Sequence, residues 1–251
     1  MKNSFRDKNI QSKKDKDEMS LINEILETTN ESGFNILDNF TKYTQLSTIS
    51  RFLTRYEVYK LQLGIPGVIL DIGVGRGSSL FTWAKLSEIF EPVNYTREIH
   101  GFDTFDGMSK IDNKDKNKKK KTNYEIFKPN ENSFTNIKKA VTLFNINRKL
   151  SHIDKVFLYK GDVEKTIIKF EKENPHALVS LLHLDVDVYK PTKFVLKRVI
   201  KRMPKGSIIL FGELSTKLYP GETRALLETL EIKKKAIKRF PFSTTMSYLV
   251  I

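Results

Sequence analysis

Short apolar runs alternate along the chain with stretches at helical spacing. Val68-Ile69-Leu70 is an apolar run leading into a glycine loop, the pattern of a strand buried in a parallel sheet. Leu80, Phe81, Ala84 and Ile89 follow at the spacing of one helix face. The alternation then repeats. A strand at Ile99–Phe102 precedes a helix carrying Phe134, Ile137, Ala140, Val141 and Phe144. A strand at Val156–Tyr159 precedes one with Ile167, Ile168 and Phe170, and a strand at Leu178–Leu184 one with Phe194, Leu196 and Ile200. Ser207–Phe211 is the fifth strand. The end differs, because Ala236–Phe240 and Met246–Ile251 are extended runs either side of Pro241-Phe242-Ser243, which predicts a hairpin. Strands alternating with helices predict an α/β, Rossmann-like, doubly wound sheet. Seven strands are expected, mostly parallel, closed by the antiparallel hairpin, with helices on both faces.

Ahead of this pattern, Ser20 is placed to cap a helix whose face carries Leu21, Ile22, Ile25 and Leu26. A second helix is predicted over Ser47–Leu63, with Ile49, Phe52, Leu53, Tyr56 and Tyr59 on its apolar face. The expected organisation is a disordered basic N-terminus at 1–18, N-terminal helices covering the active site at 19–64, and a cofactor-binding domain at 65–251. The segment Ser109–Lys128 interrupts the alternation; it is polar and contains Lys118-Lys119-Lys120-Lys121. Such a like-charge run predicts a mobile lid at about 109–130.

The composition narrows the chemistry. There are no cysteines, which excludes disulfides, thiolate zinc sites and a cysteine nucleophile. No apolar run approaches the roughly 20 residues of a membrane span, and Met1 to Glu18 has no apolar core of a secretory signal, so a cytoplasmic location is expected. The net charge of +14 attracts anions such as nucleic acid, phosphorylated metabolites or nucleotide-linked sugars, or else reflects a lysine-filled surface.

Parallel sheets bind ligands beyond the carboxyl ends of their strands. After the first strand comes Asp71-Ile-Gly73-Val-Gly75-Arg-Gly77-Ser78-Ser79. Glycines at 73, 75 and 77 allow a tight turn and close backbone approach, and the next helix offers free amides at its N-terminus. The third glycine comes one residue too early for a dinucleotide fingerprint, and Asp71 stands two before the first. That suits S-adenosylmethionine better, whose amino group and carboxylate both need partners. The second strand ends at Asp103, an acid for both ribose hydroxyls, and the third at Asp162, which would reach an adenine amino group or simply cap a helix.

The fourth strand ends His183-Leu184-Asp185-Val186-Asp187-Val188-Tyr189. Two carboxylates leaving an apolar strand on one side repel unless a cation or a proton joins them. Glu213, after the fifth strand, would face Asp185. Oxygen ligands suit Mg2+. A hydroxyl attacking a sulfonium methyl is a poor nucleophile until a metal lowers its pKa or a carboxylate takes its proton. His183, Trp83, Tyr189 and Tyr219 read as packing residues.

These residues together resemble the macrocin O-methyltransferase family, class I S-adenosylmethionine-dependent sugar O-methyltransferases. The resemblance runs from about Phe40 to the C-terminus. It rests on Phe52-Leu-Thr-Arg-Tyr-Glu57, the Asp71–Gly77 turn, Gly101-Phe-Asp-Thr-Phe-Asp-Gly107, Leu184-Asp-Val-Asp-Val-Tyr189 with Pro191-Thr192, and Pro220-Gly-Glu-Thr223. It implies a class I methyltransferase fold and magnesium-assisted methylation of a sugar hydroxyl. By the same resemblance Asp185 is a metal ligand and Asp187 a base or second ligand. The family usually has two adjacent acids after the fifth strand. Here the first is Gly212 and only Glu213 remains, so a water would fill the vacant position and Gly212→Asp would raise metal affinity. The expected acceptor is a sugar, a nucleotide-sugar or a similar anionic metabolite, and the expected assembly a homo-oligomer. Two alternatives stay open: a nucleic-acid methyltransferase, suggested by the charge, and a cofactor-binding protein without turnover, suggested by Gly212.

Overall fold

The computed structural model describes residues 12–108, 111–116, 133–146 and 148–251. Of the expected lid, 109–110 and 117–130 lie outside the described residues. The chain divides into two compact units, Met1–Leu53 and Thr54–Ile251.

The first unit is helical. Helix α1 spans Lys13–Thr28, α2 Gly33–Asp38 and α3 Phe40–Tyr43. Helix α1 begins well before the expected Ser20, so residues 13–18 are helical rather than disordered. The reason is a capping box. Ser12 Oγ accepts from the Asp15 amide while Asp15 Oδ2 accepts from the Ser12 amide, satisfying two otherwise orphaned donors. Residues 1–11 are outside the described residues.

Helix α4 spans Leu46–Gln62. Its buried positions are Thr54, Arg55, Val58, Tyr59 and Gln62, whereas Phe52 and Leu53, expected inside, are exposed. The rest of the second unit follows the predicted alternation: β1 (Val68–Ile72), α5 (Ser78–Phe90), β2 (Ile99–Asp103), α6 (Ser133–Ile146), β3 (Val156–Lys160), α7 (Val163–Glu173), β4 (Val179–Leu184), α8 (Tyr189–Val199), β5 (Ile208–Phe211), α9 (Gly221–Thr229), β6 (Ile237–Lys238) and β7 (Ser247–Val250). Helix α9 is an addition to the sequence reading, which passed from β5 directly to the hairpin. It is short, and its buried apolar face among the named core residues is only Ala225 and Leu226.

The sheet has seven strands in the order β3-β2-β1-β4-β5-β7-β6. Neighbours from β3 to β5 are parallel, while β7 is antiparallel to both β5 and β6. This is the class I methyltransferase arrangement foreseen above. Because side chains alternate across a strand, the sheet divides the core in two. Leu70, Ile72, Leu182, Leu184, Ile209 and Phe211 pack with Ile167, Leu196 and Leu226 of α7, α8 and α9. Ile69, Leu181, Ile208 and Leu210 pack on the opposite face with Tyr59, Leu80 and Trp83. Strands β1, β4 and β5 are buried along their whole length, as strands covered on both faces must be. No helix among the described residues is long and apolar enough to cross a membrane.

One aromatic cluster fixes α7 on the sheet. Phe170 is fully buried and meets Phe102 edge-on at 5.9 Å and His100 at 4.8 Å. Phe170→Ala is expected to cost roughly 3–5 kcal/mol of stability, from lost transfer energy and the cavity left behind. Urea denaturation measures this; a change below about 1 kcal/mol would contradict the packing.

Candidate active site

Alternation carries past the strand ends and sorts the candidate residues by face. Asp71 on β1, His183 on β4, then Asp185 and Gly212 just beyond their strands, continue the face that carries Trp83. Glu213, one residue later, falls on the other side.

The turn after β1 has Gly73, Gly75 and Gly77 at φ of 98°, 55° and 92°, a backbone that side-chain-bearing residues adopt only under strain. Gly77 is also the N-cap of α5 and brings no side-chain acceptor, so the first-turn amides from Ser78 onward keep their capacity for a ligand. Asp103, at the end of β2, closes the turn. Its Oδ2 accepts from the Gly75 amide at 2.8 Å and its Oδ1 from the Phe105 amide at 2.6 Å. Burial raises its pKa, and the two amides offset part of that rise.

Asp71 does not point outward. It is fully buried, with Oδ2 accepting from Ser79 Oγ at 2.8 Å and Oδ1 facing His183 Nδ1 at 2.5 Å. It braces the floor beneath the glycine turn, in place of the direct contact expected with a ligand's amino group. Asp162 caps α7, its Oδ1 accepting from the Glu164 amide at 2.9 Å. Of its two expected roles, the structure shows the cap.

The acidic corner differs in membership from the expected one. Asp185, Asp187 and Glu222 each bring a carboxylate oxygen to within 4.8 Å of the others. Asp187 takes φ of 59°, so the chain turns sharply before α8 and carries the second acid back beside the first. Glu222, in the first turn of α9, is fully buried. Its Oε1 accepts from the amides of Val186 and Asp187 at 3.2 and 3.1 Å, and its Oε2 from that of Glu213 at 3.0 Å. Burial first, and the charge of Asp185 second, push the Glu222 pKa up to about 8. Glu213 is not in the cluster; its Oε1 accepts from Thr245 Oγ1 at 3.1 Å. Position 212, not 213, faces Asp185. A Cβ at Gly212 would overlap Asp185 Oδ1 and lie 2.7 Å from its Cγ. An acid at 212 therefore cannot be added without displacing Asp185, and the expected gain from Gly212→Asp does not follow.

Two groups flank Asp185. The Arg55 guanidinium, buried, has Nη2 3.8 Å from Asp185 Oδ2. His183 Nε2, also buried, makes no hydrogen bond among the described residues and lies 4.0 Å from the same oxygen. The glycine turn touches this corner directly. A Cβ at Gly73 would overlap the Asp185 carbonyl oxygen and lie 3.2 Å from Val186 Cγ1.

Arg55 and Glu222 stand within the motifs Phe52–Glu57 and Pro220–Thr223, and sequence alone assigns neither a role. An acid in the first turn of a helix is ordinary, because it complements the helix dipole. Nothing local separates Glu222 from that background; only the approach of α9 to the end of β4 does.

Two measurements test the corner. In chelator-treated protein, Glu222 binds a proton more tightly folded than unfolded. Its contribution is full below pH 4.5 and is lost as pH rises toward about 8. Glu222→Gln is expected to flatten the fall in stability over that window; an unchanged pH profile counts against the buried acid. Gly212→Ala is expected to destabilise by about 1–3 kcal/mol through overpacking against Asp185, read by thermal denaturation.

Comparison with known proteins gives the family and the fold. The family model for macrocin O-methyltransferase (TylF) matches residues 56–219. Among solved structures, the calicheamicin methyltransferase CalS11 superposes with a TM-score of 0.90 at 26% identity, covering 100% of this chain and 98% of that one. The apo form of CalS11, described as a TDP-rhamnose 3'-O-methyltransferase of calicheamicin biosynthesis, gives 0.82 at 26% identity, with 96% and 95% covered. The O-methyltransferase NovP shares the fold at 0.60 and 16% identity, with 80% and 79% covered. No curated protein sequence matches. The glycine turn, the strand order and the family match together make this chain a methyltransferase belonging to the macrocin O-methyltransferase family.

Proposed function

We propose that this protein transfers a methyl group from S-adenosylmethionine to a hydroxyl of a nucleotide-linked or similarly anionic sugar, with Mg2+ at the acidic corner. The observation that carries the reading is the contact between Gly73 and Asp185. It sets the cofactor turn against the proton acceptors, as an in-line displacement between sulfonium and hydroxyl requires. CalS11, similar over its whole length, is described as acting on TDP-rhamnose, and a net charge of +14 favours a phosphate-bearing acceptor.

The residues divide the work. The amides following Gly77 and the tight turn at Gly73 and Gly75 cradle the cofactor's amino-acid end, and Asp103 accepts from its ribose. The cofactor supplies an electrophilic methyl on sulfur. Asp187 takes the proton of the acceptor hydroxyl as the new oxygen–carbon bond forms and the methyl carbon–sulfur bond breaks, its electron pair leaving with the neutral thioether. Asp185, Asp187 and Glu222 would hold the cation. The donor set fits one: it is all oxygen, and its three acids crowd a poorly hydrated space. Three amides occupy Glu222, leaving about one of its four lone-pair positions for a cation. When bound, Mg2+ lowers the pKa of the acceptor hydroxyl and offsets the acidic charge. Glu222 thus answers the shortfall at Gly212 that had suggested lost turnover.

Incubation with labelled S-adenosylmethionine and TDP-rhamnose, with Mg2+ or with chelator, tests this. Methylated nucleotide-sugar is expected, and Asp187→Asn should lower kcat by about 10²–10⁴-fold while cofactor affinity is kept. Calorimetry detecting no binding of S-adenosylmethionine or its demethylated product would end the proposal. Methylation of RNA in place of the sugar would favour the nucleic-acid alternative.

A further inference from the structure

The segment 111–116 lies in the stretch that sequence alone marks as a lid, yet it is tied into the acidic corner. Helix α8 starts directly after Asp187, and its N-cap position is Val188, whose side chain accepts no hydrogen bond. The first amides of a helix need acceptors. For Tyr189 the acceptor comes from a distant part of the chain. Asp115, fully buried, takes the Tyr189 amide on Oδ1 at 2.6 Å and the Asp112 amide on Oδ2 at 2.7 Å. Glu222 takes the amides of Val186 and Asp187. The two acids therefore hold three amides of the turn 186–189, at whose centre Asp187 sits with its left-handed backbone.

Space for this arrangement is reserved at Gly221. A Cβ there would overlap Asp115 Oδ1, lie 2.6 Å from the Tyr189 nitrogen and 2.8 Å from the Asp187 carbonyl oxygen. The same residue thus brings together Asp115, the start of α8 and the backbone of Asp187. Outer contacts attach the segment more loosely. Lys114 Nζ reaches Glu228 Oε1 at 2.5 Å and Tyr189 Oη at 3.0 Å, Arg224 Nη1 donates to the Lys114 carbonyl at 2.5 Å, and Lys190 lies 3.2 Å from Asp112. Exposed ion pairs of this kind contribute little individually; the buried carboxylate is the anchor.

We propose that Asp115 is a positioning residue for methyl transfer: it caps α8 from the β2–α6 connection and thereby sets the direction of the Asp187 carboxylate. The proposal rests on the reading of Asp187 as the proton acceptor. It gives the 111–116 segment a purpose other than covering the site, since the same contact joins this connection to the catalytic turn.

The test uses the full chain and the variants Asp115→Ala, Asp115→Asn and Glu228→Gln. Asp115→Ala is expected to lower kcat by about 10²-fold through misplacement of Asp187, while affinity for S-adenosylhomocysteine at the glycine turn stays within about threefold. Asp115→Asn keeps an oxygen for the Tyr189 amide and should recover most of the loss. Glu228→Gln, which weakens only the outer side-chain contacts to Lys114, Lys193 and Tyr189 Oη, should be close to wild type. Hydrogen exchange should quicken at the Tyr189 amide in Asp115→Ala and stay unchanged across Gly73–Gly77. An unchanged kcat overturns the proposal. So does a loss of kcat that tracks a parallel loss of S-adenosylhomocysteine binding and thermal stability, since that marks a general folding defect. If the wild-type chain methylates no sugar, the functional reading fails by itself, and hydrogen exchange still decides this one: an unaltered Tyr189 amide would refute the cap.

Discussion

Three carboxylates share a space from which water is nearly excluded, and the architecture around them answers their mutual repulsion. Coulomb energy between like charges a few ångströms apart is several-fold larger in such a place than in water. The protein responds with oriented dipoles and a cation. Amides of Val186, Asp187 and Glu213 converge on Glu222, and Arg55 lies beside Asp185. Burial of Glu222, and after it the charge of Asp185, raise its pKa beyond what these amides offset. A divalent ion or a proton is the natural complement to that excess, which links the charge pattern of the corner to the activity proposed for it.

Room is the second constraint. Acidic groups and backbone can come this close only where side chains are missing. Gly73 admits the Asp185 carbonyl, Gly212 the Asp185 carboxylate, and Gly221 the Asp115 carboxylate. The absent acid at 212 is therefore not a defect in an inherited pattern. In this chain Asp185 occupies the space that a side chain at 212 would need, and Glu222 arrives from α9 to complete the cluster.

The cofactor half and the acidic half are built from opposite materials. The glycine turn relies on backbone amides and a helix end, with few side chains of its own. The acidic corner relies on side chains held by backbone amides. Asp71 and His183 lie beneath the boundary between them, buried and joined at 2.5 Å, and His183 in turn stands 4.0 Å from Asp185. The floor of the glycine turn and Asp185 of the acidic corner are thus parts of one packed layer. The TylF match takes in the glycine turn, Asp185 and Asp187 but stops short of Glu222, while the superposition on CalS11 covers the whole chain.

The sequence by itself determined the sheet, its parallel core and closing hairpin, the glycine turn and the pair Asp185 and Asp187. These follow from local periodicity and from residues a few positions apart, and such signals survive in a linear reading. It also carried the family resemblance that the comparisons confirm. Tertiary structure alone decided the third acid, the reason for Gly212, and the cap on α8. Glu222 is 35 residues or more from the amides it accepts on β4's far side, and Asp115 is 74 from Tyr189. Both strands end where the sequence predicts, at Leu184 and Phe211, but that Gly212 and not Glu213 faces Asp185 follows from the pairing of Leu184 with Phe211, a register only the folded sheet supplies. Ser12 shows the same limit at the other end: a capping box about two turns earlier moved the start of α1 away from Ser20. Local patterns fix elements because each residue's neighbours in sequence are its neighbours in space; a site drawn from several strand ends has no such shortcut.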